Sequence, residues 1–241
     1  MHLIVEDTAE AVAERAANWL AAAIADDVAE RGRAVIALSG GCTPWQAFAH
    51  LAQRKLPWNH VHLAQVDERI VPFADERRNA RLMREIFVDR GLVPASQLHM
   101  MPVEDADPSD AAARYADELA AQCGGRLWFD MVQLGLGADG HTASLVPHDP
   151  VLRERDSNVA VTGEYFGTCR MTLTYPAINR ARRILWLVTG AEKAPVLAAL
   201  LSRGGTTDEV GAMPALGISR ERATVIADRA ATQALPDGAV A

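Results

Sequence analysis

Short, almost wholly apolar runs recur along the chain, each closed by glycine or polar residues and followed by a stretch with helical periodicity. Residues 34–38 (Ala-Val-Ile-Ala-Leu), 60–66, 129–134, 184–189 and 223–228 are such runs, and residues 170–174 also read as a strand. An apolar run of this length without polar alternation reads as a strand buried on both faces. Between the runs lie helical patterns. Residues 8–31 place Val12, Ala16, Trp19, Leu20, Ala23, Ile24 and Val28 on one face, with Asp7 and Glu10 as a capping box and Gly32 as the stop. Thr43, Pro44 and Gln46 fit the N-cap, first and third positions of a second helix. Residues 75–90 read as a third helix, Asp107-Pro108 opens a fourth that ends near Cys123-Gly124, and another begins near Ala191. Strands alternating with helices predict a parallel sheet covered on both faces.

In such sheets ligands bind beyond the carboxyl ends of the strands. Four polar or glycine-rich segments fall there: residues 39–43, 67–69, 135–141 and 190–193. Ser39-Gly40-Gly41 feeds a helix N-terminus, whose free N–H groups and positive dipole end suit an anion, although a tight turn with a capped helix reads equally well. Arg69 stands just past a buried strand and is either a ligand contact or a solvated surface charge. Lys193 lies in the first turn of its helix, where a cation opposes the macrodipole at about 0.3–1 kcal/mol. An anionic ligand would compensate it. His141 either braces its turn or acts as a general base, since histidine exchanges a proton near neutrality. Asp139 is close enough in sequence to orient it.

The remaining signals exclude function classes. With 24 basic against 31 acidic residues, the net charge of −7 speaks against nucleic-acid binding. No apolar run approaches the roughly 20 residues of a membrane span, and the first residues lack the regions of a signal peptide. Cys42, Cys123 and Cys169 are odd in number and form no CxxC, which argues against a disulfide framework and points to a cytoplasmic location. Cys42 reads as a small filler rather than a nucleophile. A metal on Asp139, His141, His148 and Asp149 lacks any recognised ligand spacing, so none is expected. His60 and His62 share a strand face, where packing is the simpler reading. The length of 241 residues suits one domain, residues 1–241, with a frayed tail from about 234.

Taken together, these segments resemble the 6-phosphogluconolactonases over approximately residues 10–200. Ser39-Gly-Gly-Cys-Thr-Pro44 is similar to an SGGxTP loop, and Asp67-Glu-Arg69 with Val71-Pro72 and Asn79 to a DERxVP…N segment. Residues 135–147 resemble a GxGxDGHTASLFP block, and Arg170-Met-Thr-Leu-Thr174, Ile178-Asn179 and Thr189-Gly190…Lys193 follow in family order. Arg78 stands where serine is usual, and Val146 where phenylalanine is common. The C-terminal segment matches poorly.

The resemblance implies a three-layer αβα fold with a mostly parallel doubly wound sheet, of the glucosamine-6-phosphate deaminase/ribose-5-phosphate isomerase type. It implies cofactor-free hydrolysis of 6-phospho-D-glucono-1,5-lactone, a step of the oxidative pentose phosphate pathway, by a monomer or homodimer. His141 would be the general base, oriented by Asp139. Arg69 and Lys193 would bind the phosphate, with Arg170 as a second ligand. Ser39, Gly40, Gly41, Thr43, Asp67 and Gly137 would complete the substrate contacts. Backbone amides of residues 39–41 and 135–140 would supply oxyanion donors. Two other functions share features of the pattern. Glucosamine-6-phosphate deaminases place a glutamate where Val146 stands and usually a tyrosine at Arg69. Non-catalytic sugar-phosphate sensors carry a DNA-binding module for which this chain has no basic patch.

Overall fold

The computed structural model describes residues 1–202 and 205–236. The expected fraying of the tail concerns mainly residues 237–241, which lie outside the described ones.

The chain begins with β1 (His2–Glu6), then α1 (Ala9–Arg31), β2 (Ala34–Leu38), α2 (Cys42–Leu51), β3 (Val61–Gln65), β4 (Asp67–Arg69), α3 (Asn79–Met83) and β5 (Leu98–His99). It continues through α4 (Pro108–Gln122), β6 (Met131–Gly135), β7 (Val159–Val161), β8 (Arg170–Leu173), α5 (Tyr175–Asn179) and β9 (Arg183–Val188). The last elements are α6 (Ala194–Ser202), α7 (Thr207–Ala212), β10 (Ala223–Asp228) and α8 (Arg229–Thr232). Seven strands form one sheet in the order β1-β10-β9-β6-β2-β3-β5, every pair parallel. All five residues of β2 are buried. Its alternate side chains feed two cores: Val35 and Ala37 join Tyr115, Val132 and Trp186 on one face, and Ile36 and Leu38 join Leu20, Phe48 and Phe87 on the other. The expected doubly wound αβα architecture is present. No described helix is long and apolar enough to cross a membrane.

The chain leaves β2 toward β3 and β5, then returns to lay β6 on β2's other side. Connections therefore diverge between β2 and β6, the place where open parallel sheets form a crevice at their carboxyl edge.

Four sequence expectations need correction. The α1 cap is Thr8, whose hydroxyl accepts from the Ala11 amide at 3.2 Å, rather than Asp7. Helix α2 starts at Cys42 after Gly41, whose φ of 134° suits glycine, so Thr43 is inside the first turn and caps nothing. The helix expected from 75 begins only at Asn79 and runs into a π-helical turn over Arg84–Val88. Its start is set from a distance: the fully buried Glu68 carboxylate accepts the Asn79 and Ala80 amides at 3.0 and 2.8 Å. Finally, β8 does not enter the parallel sheet. With β4 and β7 it forms a separate antiparallel sheet in the order β4-β8-β7.

Candidate active site

A cavity of about 370 Å³ opens where β2, β6 and β9 end. All four strand-end segments reach it. Its walls include Ser39, Gly40, Gly41 and Thr43, Asp67 and Arg69, Gly137 and His141, Arg170, and Lys193. A larger cavity of about 1020 Å³ lies elsewhere, among Arg126, His148, Asp149 and Tyr175, and receives none of these segments. Size alone does not mark a site of chemistry; convergence of strand-end residues is the better criterion.

At one wall, the ring Nδ1–H of His141 donates to Asp139 Oδ1 at 2.6 Å, and the His141 amide donates to the same oxygen at 3.2 Å. His141 faces the cavity while Asp139 stands behind it. With Nδ1 engaged, Nε2 is the nitrogen left to exchange a proton. Gly137 makes this arrangement possible, because a β-carbon there would run into His141 Nδ1 and Asp139 Oδ1. Asp139 Oδ2 accepts from the Tyr165 hydroxyl at 2.7 Å. Burial pushes the Asp139 carboxyl upward, but the Tyr165 hydroxyl and the His141 ring outweigh it and hold the group below its ordinary range.

A second part of the wall is cationic. In the β4–β8 pair Arg69 lies directly opposite Arg170, and like charges in that position repel. Arg170 is buried, its Nε has no hydrogen-bond partner among the described residues, and its guanidinium stacks 5.1 Å over the Tyr165 ring. Burial first, then the charges of Arg69 and Arg77, pull Arg170 below the usual guanidinium range against the opposing charge of Asp67. Arg69 is held by the Asn79 side chain at 2.9 Å and the Arg77 carbonyl at 2.7 Å. Lys193 ends a 3₁₀ turn, Ala191–Lys193, that leads into α6. Three cations thus border one small cavity in a chain of net charge −7.

Asp67 and Thr43 bind the walls together. Asp67 Oδ2 accepts from Ser144 Oγ at 2.7 Å, while the hydroxyls of Thr43 and Thr189 lie 2.6 Å apart. Glu68, absent from the expected site, anchors β4 beneath them. It accepts from Gln65 Nε2 and the Arg69 amide as well as from α3, and pairs with buried Arg78 at 3.2 Å. The unusual arginine before Asn79 is thus the counter-ion of a carboxylate with no access to water.

Several amides expected as oxyanion donors are already engaged. The Ser39 amide donates to Gln133 Oε1 at 3.1 Å, and those of Gly137 and Gly140 close their own loop onto the carbonyls of His141 and Gly137. The Gly40–Thr43 turn retains its donors better, since Gly41 offers α2 no side-chain cap. Cys42 is exposed on the cavity wall rather than filling space. His60 lies in the turn before β3 and shares no strand face with His62, which stacks on His99. Asp149 accepts the Val151 and Gly163 amides, and no three metal-ligating side chains converge among the described residues.

Known proteins are similar to this chain over most of its length. A family model described as glucosamine-6-phosphate isomerases/6-phosphogluconolactonase matches residues 7–227. A 6-phosphogluconolactonase of Synechocystis sp. is 41% identical over 193 residues, covering 78% of this chain and 80% of its own. One from Mycobacterium tuberculosis is 35% identical over 232 residues, covering 92% and 93%. The crystal structure of a 6-phosphogluconolactonase from Thermotoga maritima superposes with a TM-score of 0.81 at 25% identity, covering 94% of this chain and 98% of that one. The chain belongs to the glucosamine-6-phosphate isomerase/6-phosphogluconolactonase family.

Proposed function

We propose that the protein hydrolyses 6-phospho-D-glucono-1,5-lactone to 6-phospho-D-gluconate with its own side chains and backbone amides. The observation that carries this reading is the cross-strand pair Arg69–Arg170, which faces a histidine–carboxylate pair within one cavity. Mutual repulsion of two arginines, one of them buried with an unpartnered nitrogen, is relieved when a phosphate sits between them and Lys193. That leaves the lactone carbonyl at the His141 end.

His141 Nε2 accepts a proton from water as the water oxygen attacks the lactone carbonyl. Negative charge then develops on the carbonyl oxygen, and the N–H groups of the Gly40–Thr43 turn are the donors to receive it. Collapse of the tetrahedral intermediate breaks the bond to the ring oxygen. That oxygen takes the proton from the imidazolium and leaves as a hydroxyl, and the new acid ionises. Asp139 holds the ring and stabilises its charged form.

Val146 favours lactone hydrolysis over deamination. It is buried and apolar where a deaminase of this family carries a glutamate. A solved monomeric glucosamine-6-phosphate deaminase shares the fold at 22% identity, and that likeness extends to the fold alone. Assaying the purified protein on the lactone and on glucosamine 6-phosphate in parallel separates the two. Lactone loss faster than the buffer blank, with no ammonia release from the amino sugar, is the expected result. Ammonia release without lactone turnover would overturn the reading.

A further inference from the structure

Tyr165 belongs to none of the strand-end segments, yet it completes the arrangement around His141. Strands β7 and β8 form a hairpin whose tip closes with the Tyr165 amide donating to the Thr168 carbonyl at 3.1 Å. Phe166 and Gly167 between them have φ of 49° and 77°, the backbone of a tight two-residue hairpin turn. The turn fixes Tyr165 at its first corner and leaves Phe166 80% exposed beside it. The Tyr165 ring meets the His141 ring edge-on at 5.7 Å and lies under the Arg170 guanidinium. Its hydroxyl donates to Asp139 Oδ2, while Asp139 Oδ1 takes both the ring and the backbone N–H of His141.

Both oxygens of Asp139 are therefore held, one by His141 and the other by Tyr165. A carboxylate held at only one oxygen swings about its last torsion, which is broad for this side chain. The imidazole it orients would swing with it. We propose that Tyr165 is a positioning residue, clamping Asp139 so that its other oxygen holds His141 with Nε2 free toward the cavity. The hydroxyl also draws charge from Asp139, moderating how strongly the carboxylate stabilises the imidazolium. Burial, followed by the bond to Asp139, raises the phenol to about 12, so it stays a donor at any working pH. The hairpin carrying Tyr165 also carries Arg170, so one strand pair positions both the clamp and a cation of the site.

This inference rests on His141 acting as the base, and its test separates the two ideas. Tyr165→Phe keeps the ring against His141 and Arg170 and removes only the donor. Kinetics on the lactone are measured from pH 5 to 9, and the His141 ring proton is titrated by NMR over the same range. The clamp predicts a kcat lower by about tenfold with KM within about twofold of wild type. It also predicts that the acid limb of kcat/KM and the His141 titration midpoint both move up by about half a pH unit. Tyr165→Leu should show the same pH displacement together with a raised KM, because Arg170 loses its stacking surface. Unchanged kcat, acid limb and titration midpoint in Tyr165→Phe would reduce Tyr165 to packing and overturn the proposal. Absence of turnover in the wild-type protein would instead overturn the lactonase reading, and the NMR midpoint would still decide the role of Tyr165.

Discussion

Asn79 Oδ1 accepts a hydrogen bond from Arg69 Nη1 at 2.9 Å, and Asn79 Nδ2 donates to the Asp67 carbonyl at 3.0 Å. The asparagine that opens α3 therefore aims the arginine that ends β4. The fit is close on its other side too, since a β-carbon at Gly40 would run into Asn79 Oδ1. Arg69 reaches the cavity already oriented, which lowers the ordering cost of binding an anion.

Asn79→Ala removes this support and leaves the acid–base pair intact. A neutral hydrogen bond contributes about 1 kcal/mol, so KM for the lactone should rise roughly fivefold with kcat nearly unchanged. Steady-state kinetics of the purified variant provide the check. A fall in kcat at constant KM would place Asn79 at the reacting centre instead.

The two facing arginines set stability against binding. Arg170→Met keeps much of the buried volume and removes a charge that repels Arg69, so the ligand-free variant should melt no lower than wild type. 6-Phosphogluconate should raise the Tm of the wild-type protein, and the same variant should lose that rise. Thermal denaturation with and without that ligand tests both halves. Destabilisation of the ligand-free variant with an undiminished ligand effect would contradict a phosphate at Arg170.

Gly137→Ala places a β-carbon against His141 Nδ1 and Asp139 Oδ1. Displacing a reacting group by about 1 Å can cost roughly 100-fold in rate. We expect kcat to fall by about that factor while affinity for 6-phosphogluconate is retained, as judged by calorimetry. A variant with wild-type kcat would mean that His141 does not need its present position.

Asp139 is held below its ordinary range, its burial being outweighed by Tyr165 and His141. A carboxylate whose folded pKa is depressed stabilises the fold above its unfolded value, and that contribution is lost as pH falls through the folded value. Asp139 therefore stays ionised throughout the neutral range. The acid limb of the kcat/KM profile should accordingly have unit slope, reporting one proton. Asp139→Asn, which keeps the shape and removes the charge, should lower kcat by roughly 100-fold. A limb of slope two would show that a second group titrates with the base.

The parallel sheet was legible because runs such as Ala34–Leu38 are apolar on both faces and short, and glycine-rich segments mark where they end. The second sheet was not. β4 and β7 have three residues each, too few to show a period, and Asp67–Arg69 resembles a polar loop until its pairing with β8 is seen. Cap positions misled where two candidates adjoin: Thr8 rather than Asp7 bonds to the first turn of α1. The start of α3 was illegible for a different reason. Its cap, Glu68, comes from another element, so residues 75–78 continue the helical pattern without joining the helix. Tyr165 lies 26 residues from the acid that it meets, in a hairpin with no motif of its own.

The most direct measurement is turnover of the lactone by His141→Ala beside wild type, each corrected for spontaneous hydrolysis, with 6-phosphogluconate affinity measured on both. The account predicts wild-type turnover well above the blank, and a variant that loses at least 100-fold in kcat yet binds 6-phosphogluconate with similar affinity. Turnover in the variant equal to wild type would contradict it.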